Sequence, residues 1–215
     1  MNKIIIVDDH SLFREGIKLL IENEGFGLVI AEAENGQQFL DVLATQQPDL
    51  VIMDIEMPVM GGLEATRKAL KIQPELKILV LTMLNEKANY SDMINAGALG
   101  FVLKTAGKKE FEKAIKTITG GESYFSNELL RQIIINANNQ TLTDQSPEQK
   151  LEFTEREKEV LKHLCEGLTV AEVADKLYLS VKTIEAHRST LLKKTKAKNT
   201  INLVLHAIKN KIVEV

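Results

Sequence analysis

Three carboxylates, a hydroxyl and an ammonium stand at the ends of four short apolar runs. Asp8 and Asp9 follow Lys3–Val7, Asp54 ends Leu50–Asp54, Thr82 follows Lys77–Leu81, and Lys104 follows Gly100–Leu103. Short apolar runs rich in β-branched residues and bounded by turn formers read as fully buried parallel strands. In an open parallel sheet, ligands bind beyond the carboxyl ends of the strands, near the point where strand order reverses. All five groups are therefore expected on one rim. Carboxylates crowded together need a cation, and a cation beside an ammonium and a hydroxyl suits a phosphoryl group. Taken singly, each residue also has an ordinary reading: Asp8-Asp9 as a helix cap, Asp54 as a strand end.

The elements that must position these groups alternate. A fifth run, Leu28–Glu32, completes the strands, and helical patterns cover Leu12–Glu22, Gln37–Thr45, Leu63–Ile72, Lys87–Asn95 and Lys108–Ile118. Five βα units with short connections predict an α/β domain, a five-stranded doubly wound parallel sheet of flavodoxin-like type over residues 1–121. The strand order 2-1-3-4-5 sets the ends of the first and third strands side by side at the switch point. A further helical pattern covers Ser126–Ala137, and Asn138–Gln149 is polar and rich in turn formers. Residues 122–152 therefore read as a linker helix followed by a flexible linker.

Residues 153–215 read as a smaller all-α domain of four helices. Thr154-Glu-Arg-Glu157 and Thr169-Val-Ala-Glu172 are capping boxes, each ahead of an apolar pattern. Ser180 caps a third helix, Val181–Thr195, and a fourth runs from about Thr200 to Lys209. Two helices joined by the tight turn Tyr178-Leu-Ser180 make a helix-turn-helix. In the third helix the apolar stripe Val181, Ile184, Leu191 and Leu192 is expected to face the core, leaving Lys182, Thr183, Glu185, Ala186, Ser189 and Lys193 outward. The apolar last helix offers Leu203, Val204 and Ala207 for contact between two such domains, shared with the core.

Charge supports the division. The net charge of −3 is uneven: residues 1–136 carry 14 basic against 19 acidic residues, 137–152 carry 1 against 3, and 153–215 carry 12 against 8. An acidic body with a basic tail points the tail at a polyanion. No apolar stretch approaches the ~20 residues needed to span a bilayer, and the N-terminus reads as a strand rather than a signal peptide. The lone Cys165 lies on an apolar helical pattern. It reads as a buried structural thiol in a reducing, cytoplasmic protein.

With these residues in place, the chain closely resembles a two-component response regulator of the NarL/FixJ type, a receiver domain joined to a LuxR-type helix-turn-helix. The resemblance rests on Val7-Asp-Asp-His10, Met53-Asp-Ile-Glu-Met-Pro58, Leu81-Thr-Met83, Asn95–Phe101 and Leu103-Lys104 in the first domain. In the second it rests on Phe153–Glu157, Gly167–Leu177 and Ser180–Arg188. It implies a transcriptional regulator that takes a phosphoryl group from a sensor histidine kinase onto Asp54, with Thr82 and Lys104 as the other catalytic groups. It implies Mg²⁺ held by Asp9, Asp54 and the backbone carbonyl of Glu56, with Asp8 helping through water. Thr82 and the aromatic Phe101 are the implied switch pair, Phe101 turning inward as Thr82 moves toward the phosphate. Met83 stands where a small residue is common and is expected to narrow access to Asp54.

By the same resemblance, Glu185, Ala186 and Ser189 face base edges, while Lys182, Thr183, Arg188, Lys193 and Lys194 meet phosphates. The implied partners are double-stranded promoter DNA, a second copy of the chain and RNA polymerase, with no membrane. No enzymatic turnover is implied beyond self-phosphotransfer and autodephosphorylation. Two rival readings use the same residues: a haloacid-dehalogenase-like phosphatase, and a DNA-binding protein with a degenerate receiver. The first puts its nucleophile after the first strand, whereas Asp54 ends the third; no substrate cap is visible, and the tail has no task in it. The second is opposed by the complete set of Asp8, Asp9, Asp54, Thr82 and Lys104.

Overall fold

The structure is a computed structural model describing residues 1–83, 90–126, 128–129, 151–210 and 212–213. It forms two compact units, Met1–Phe125 and Ser126–Val215.

The first unit is built on β1 (Lys3–Val7), β2 (Leu28–Ala33), β3 (Leu50–Asp54), β4 (Ile78–Thr82), β5 (Gly100–Leu103) and β6 (Tyr124–Phe125). All five pairings are parallel, in the order β2-β1-β3-β4-β5-β6. The predicted order 2-1-3-4-5 holds, but the sheet has six strands, not five. Tyr124-Phe125 pairs with Gly100-Phe101, and a two-residue strand is too short to show any periodicity in sequence. The helices are α1 (Ser11–Asn23), α2 (Gly36–Leu43), α3 (Gly62–Ile72), α4 (Tyr90–Ala96) and α5 (Lys108–Thr119). The start expected for the fourth helix, and most of the helix and linker expected over 126–149, lie outside the described residues.

Alternation along each strand fills both faces of the sheet. Ile4, Ile6, Leu50, Ile52, Leu79, Leu81 and Val102 pack with Ile21 of α1 and with Phe111, Ile115 and Ile118 of α5. Their neighbours Ile5, Val7, Val51, Met53 and Val80 are equally buried on the other side. A strand buried on both faces has a continuous apolar run, and the only place left for a polar side chain is its end.

The second unit contains α6 (Glu155–Cys165), α7 (Val170–Lys176), α8 (Val181–Thr195) and α9 (Thr200–Lys209). Both capping boxes form: Thr154 and Thr169 accept from the backbones of Glu157 and Glu172, whose side chains accept from the two cap backbones. Ser180 caps α8 by accepting from the Thr183 backbone N–H. Cys165 is buried, and burial, reinforced by the neighbouring charge of Glu166, pushes its thiol up to about 12. Two expectations change. Val181 is 45% exposed, because it is the first residue of α8 and precedes the turn whose face reaches the core. Leu203, Val204 and Ala207 are all buried in the unit's own core, which takes the whole apolar face of α9 and leaves none of them to a second copy.

Candidate functional site

The rim at the carboxyl ends of β1, β3, β4 and β5 brings the predicted groups together. Asp8, Asp54 and Thr82 are all buried, at 2, 6 and 4% exposure. The Lys104 ammonium sits 2.7 Å from Asp8 Oδ2 and 2.7 Å from Asp54 Oδ2, and lies over the Phe13 ring. Asp54 Oδ1 accepts from the Ile55 backbone N–H at 2.7 Å. The Asp54 carbonyl is covered by Gly62 at the start of α3, where an added Cβ would fall 2.0 Å from that oxygen. Only glycine fits there, so α3 approaches the loop after Asp54 closely.

The electrostatics follow from this geometry. Burial pushes the Asp54 carboxyl above the usual range, and the Lys104 ion pair offsets that only in part. Burial acts to lower the Lys104 ammonium, but the Asp54 and Asp8 carboxylates outweigh it and hold it above its ordinary value. The lysine therefore stays charged between two acids. The cleft above has a volume of about 660 Å³ and is lined by Asp9, Asp54, Glu56, Thr82, Met83 and Lys104 among others. Met83 is 57% exposed at its lip.

Asp8, Asp9, His10 and Asp54 each offer a ligand atom, and these atoms all lie within 4.8 Å of one another. Opposite ligands of an octahedral Mg²⁺ stand about 4.2 Å apart, so the cluster has the dimensions of a divalent-cation site. His10 was not singled out from the sequence. Its Nδ1 lies 2.8 Å from Asp9 Oδ1, and its backbone N–H donates to Asp8 Oδ1. Arg14 was also missed. It is buried in α1, donates to the Asp8 carbonyl, and pairs with Glu32 and Glu34 on the β2 side. The signal was there: a charged residue on the core-facing side of an otherwise apolar helical pattern.

Thr82 and Phe101 are close to the rim but do not stand as the implied switch requires. Thr82 Oγ1 donates to the Met83 carbonyl at 3.0 Å. Phe101 is already fully buried, stacked on Phe125 at 5.2 Å and edge-on to Tyr90 at 6.4 Å. With no hydroxyl to satisfy and two aromatic neighbours, the inward position is comfortable without any movement of Thr82.

In the second unit, α8 exposes Lys182, Glu185, Ala186, Ser189 and Lys193, at spacings of three and four that make one face. Thr183 is engaged in the Ser180 cap, its hydroxyl 2.7 Å from Ser180 Oγ. Arg188 is half-buried, and its Nε is buried with no hydrogen-bond partner among the described residues. Lys194 is engaged within its own unit. Its ammonium pairs with the buried Glu157 at 2.7 Å, donates to the Glu152 carbonyl and lies over the Phe153 ring. A lysine held this way is turned away from the exposed face.

Comparison with known proteins decides what these two units are. The description "Response regulator receiver domain" matches residues 4–116, and "Bacterial regulatory proteins, luxR family" matches residues 151–207. This chain is a response regulator. It is 34% identical over 215 residues to the response regulator GacA of Pseudomonas aeruginosa, covering 100% of this chain and 99% of GacA. It is 33% identical over 216 residues to the oxygen regulatory protein NreC of Staphylococcus epidermidis, covering 99% of each. Among solved structures it resembles RcsB of Salmonella enterica serovar Typhimurium, bound to promoter rprA in the presence of the phosphomimetic BeF3-. The TM-score is 0.57 at 26% identity, over 99% of this chain and 100% of that one. A response regulator with a luxR-family domain is a phosphorylation-controlled regulator of transcription. Among the described residues no helix is long and apolar enough to cross a membrane.

Proposed function

We propose that this response regulator accepts a phosphoryl group on Asp54 from a sensor histidine kinase and, so modified, binds promoter DNA as a homodimer through α8. One observation carries the assignment of Asp54: a single lysine, Lys104, bridges it to Asp8 at the floor of a cleft that Thr82 also lines. In the transfer, an Asp54 carboxylate oxygen forms the new P–O bond while the P–N bond to the donor imidazole breaks. Lys104 leaves its pairing with the acids to meet the phosphoryl oxygens, and Thr82 turns its hydroxyl from the Met83 carbonyl to one of them. Asp9, Asp54 and the Glu56 carbonyl would hold Mg²⁺, with Asp8 helping through water. When bound, the ion would supply positive charge to offset that of the phosphoryl oxygens. Water in the open cleft later hydrolyses the acyl phosphate, the one turnover the protein performs.

On α8, Glu185, Ala186 and Ser189 face base edges in the major groove, with Lys182 and Lys193 on flanking phosphates. One such helix reads only a half-site, so two copies on a two-fold axis read a near-palindrome. RNA polymerase is the partner through which occupancy becomes transcription, and the protein works in the cytoplasm, where Cys165 remains a thiol. Promoter-bound RcsB supports this reading by similarity.

The test is Asp54→Asn, which keeps the shape and removes the nucleophile. Wild type treated with acetyl phosphate and Mg²⁺ should gain one phosphoryl group by intact mass, and the variant none. A full gain in the variant overturns the assignment. Continuous turnover of small phosphoesters would favour the phosphatase reading, and an inert wild type the degenerate one.

A further inference from the structure

Two adjacent residues in the first turn of α6 hold the C-cap of α7, just ahead of the turn into α8, and the last turn of α8. Arg156 donates through Nη2 to the carbonyl of Leu177, in the turn that leads into α8, at 3.2 Å. Glu157 takes the Lys194 ammonium at 2.7 Å, one residue before α8 ends. The two anchors differ in strength. Arg156 is partly exposed and shared with Glu159, whereas the Glu157 side chain is only 6% exposed. Glu157 is also fixed by the Thr154 cap, which donates its backbone N–H at 2.8 Å. Lys194 is further constrained by the Glu152 carbonyl and the Phe153 ring. The exposed face from Lys182 to Lys193 lies between these anchors. A helix held to α6 at its last turn, and through the α7 C-cap ahead of its first, has a set pitch relative to α6, and the pitch decides whether Glu185, Ala186 and Ser189 reach bases together.

We infer that Lys194 and Glu157 form a positioning pair that sets the angle of the reading helix, and that Lys194 carries no phosphate contact. The inference rests on α8 being the reading helix, which Lys193→Ala tests separately. A phosphate contact and a positioning pair leave different signatures. Each phosphate neutralised contributes about 0.9 to the slope of log K against log salt. Loss of pitch leaves that slope alone, weakens specific binding and spares non-specific binding.

The experiment uses the full chain, treated with acetyl phosphate and Mg²⁺. The probes are a duplex selected for binding to the wild type and a random duplex of equal length, each titrated over a salt series at a temperature where circular dichroism shows the protein folded. Lys194→Met keeps a long apolar side chain and removes the charge, and with it the cation over the Phe153 ring. Glu157→Gln combined with Lys194→Met removes both charges and leaves no buried ion unpaired, so it decides the matter if the single variant does not fold. Lys193→Ala is the phosphate-contact comparator. We expect the Lys194 variants to lose about tenfold in specific affinity, one base contact's worth, with an unchanged slope and unchanged random-duplex binding. Lys193→Ala should lose about 0.9 in slope on both duplexes. A slope loss of that size in Lys194→Met makes it a phosphate contact. Unchanged specific affinity in folded variants makes the pair merely structural. Either result overturns the inference.

Discussion

Lys104 Nζ lies 2.7 Å from Asp54 Oδ2, joining the ends of β5 and β3, and the same nitrogen lies 2.7 Å from Asp8. One cation thus compensates two buried carboxylates, and removing it leaves them facing each other. Breaking a buried pair by deleting one partner costs about 3–5 kcal/mol, so Lys104→Met should be destabilised by that order in chelator. Mg²⁺ at millimolar concentration should restore part of the loss, because the cluster can take a second source of positive charge. Thermal melts of wild type and variant, with EDTA and with Mg²⁺, read both effects. Equal melting in EDTA would show that the pairing contributes nothing.

Thr82 is the group on which the response to phosphate should depend. Its hydroxyl now rests on the Met83 carbonyl, and Phe101 is already inside, so the hydroxyl is the part of the pair left to move. Coupling between two sites typically changes affinity about 5- to 150-fold. Wild type should gain DNA affinity within that range on phosphorylation. Thr82→Ala should still take the phosphoryl group and gain almost nothing. Titrations at fixed salt, with and without phosphodonor, distinguish the two. A full gain in Thr82→Ala removes Thr82 from the switch.

The receiver site was legible because a doubly wound sheet maps sequence onto space simply. Each buried strand is a continuous apolar run, its polar terminus sits on the rim, and the strand order follows from short right-handed connections. Asp8, Asp54, Thr82 and Lys104 needed nothing more. β6 was not legible, because two residues carry no period. Lys194 was given a phosphate by resemblance and not by spacing. It stands three residues after the buried Leu191, on the side of α8 that packs inward. Its ammonium meets Glu157 of α6 there, a partner that spacing within one helix does not display. Arg14 was legible as a charge on the inward side of α1, but the Asp8 carbonyl that it reaches is not displayed by sequence.

Val59, in the loop between β3 and α3, has φ of 66° and is 86% exposed. A β-branched side chain in the left-handed region meets its own backbone, at a cost of about 1–2 kcal/mol. Exposure shows that packing does not repay it. Val59→Gly should therefore stabilise the first unit by roughly 0.5–1 kcal/mol after the added freedom of the unfolded chain is subtracted. Urea denaturation measures it, and a destabilised variant would show that the valine side chain has a role its exposure conceals.

Glu157 gives the second unit an acid-sensitive anchor. Burial acts to raise its carboxyl, but the Lys194 ammonium and the Thr154 cap outweigh that and hold it below its ordinary value of 4.5. Between those two values the unfolded chain binds the proton and the folded chain does not, so stability rises with pH across that window. The contribution is complete above pH 4.5 and is lost as pH falls through the lower, folded value. Glu157→Gln removes the titration and keeps the shape. At pH 6 the variant should be less stable by about 2 kcal/mol, the value of a hydrogen bond to a charged group. The gap should close as both proteins are taken from pH 5 toward pH 3. Denaturant melts of the pair at several pH values, followed through the helical signal, give the gap directly. Equal stability of the two proteins at pH 6 would mean that Glu157 stabilises the unit through its shape alone, and that Lys194 draws nothing from its charge.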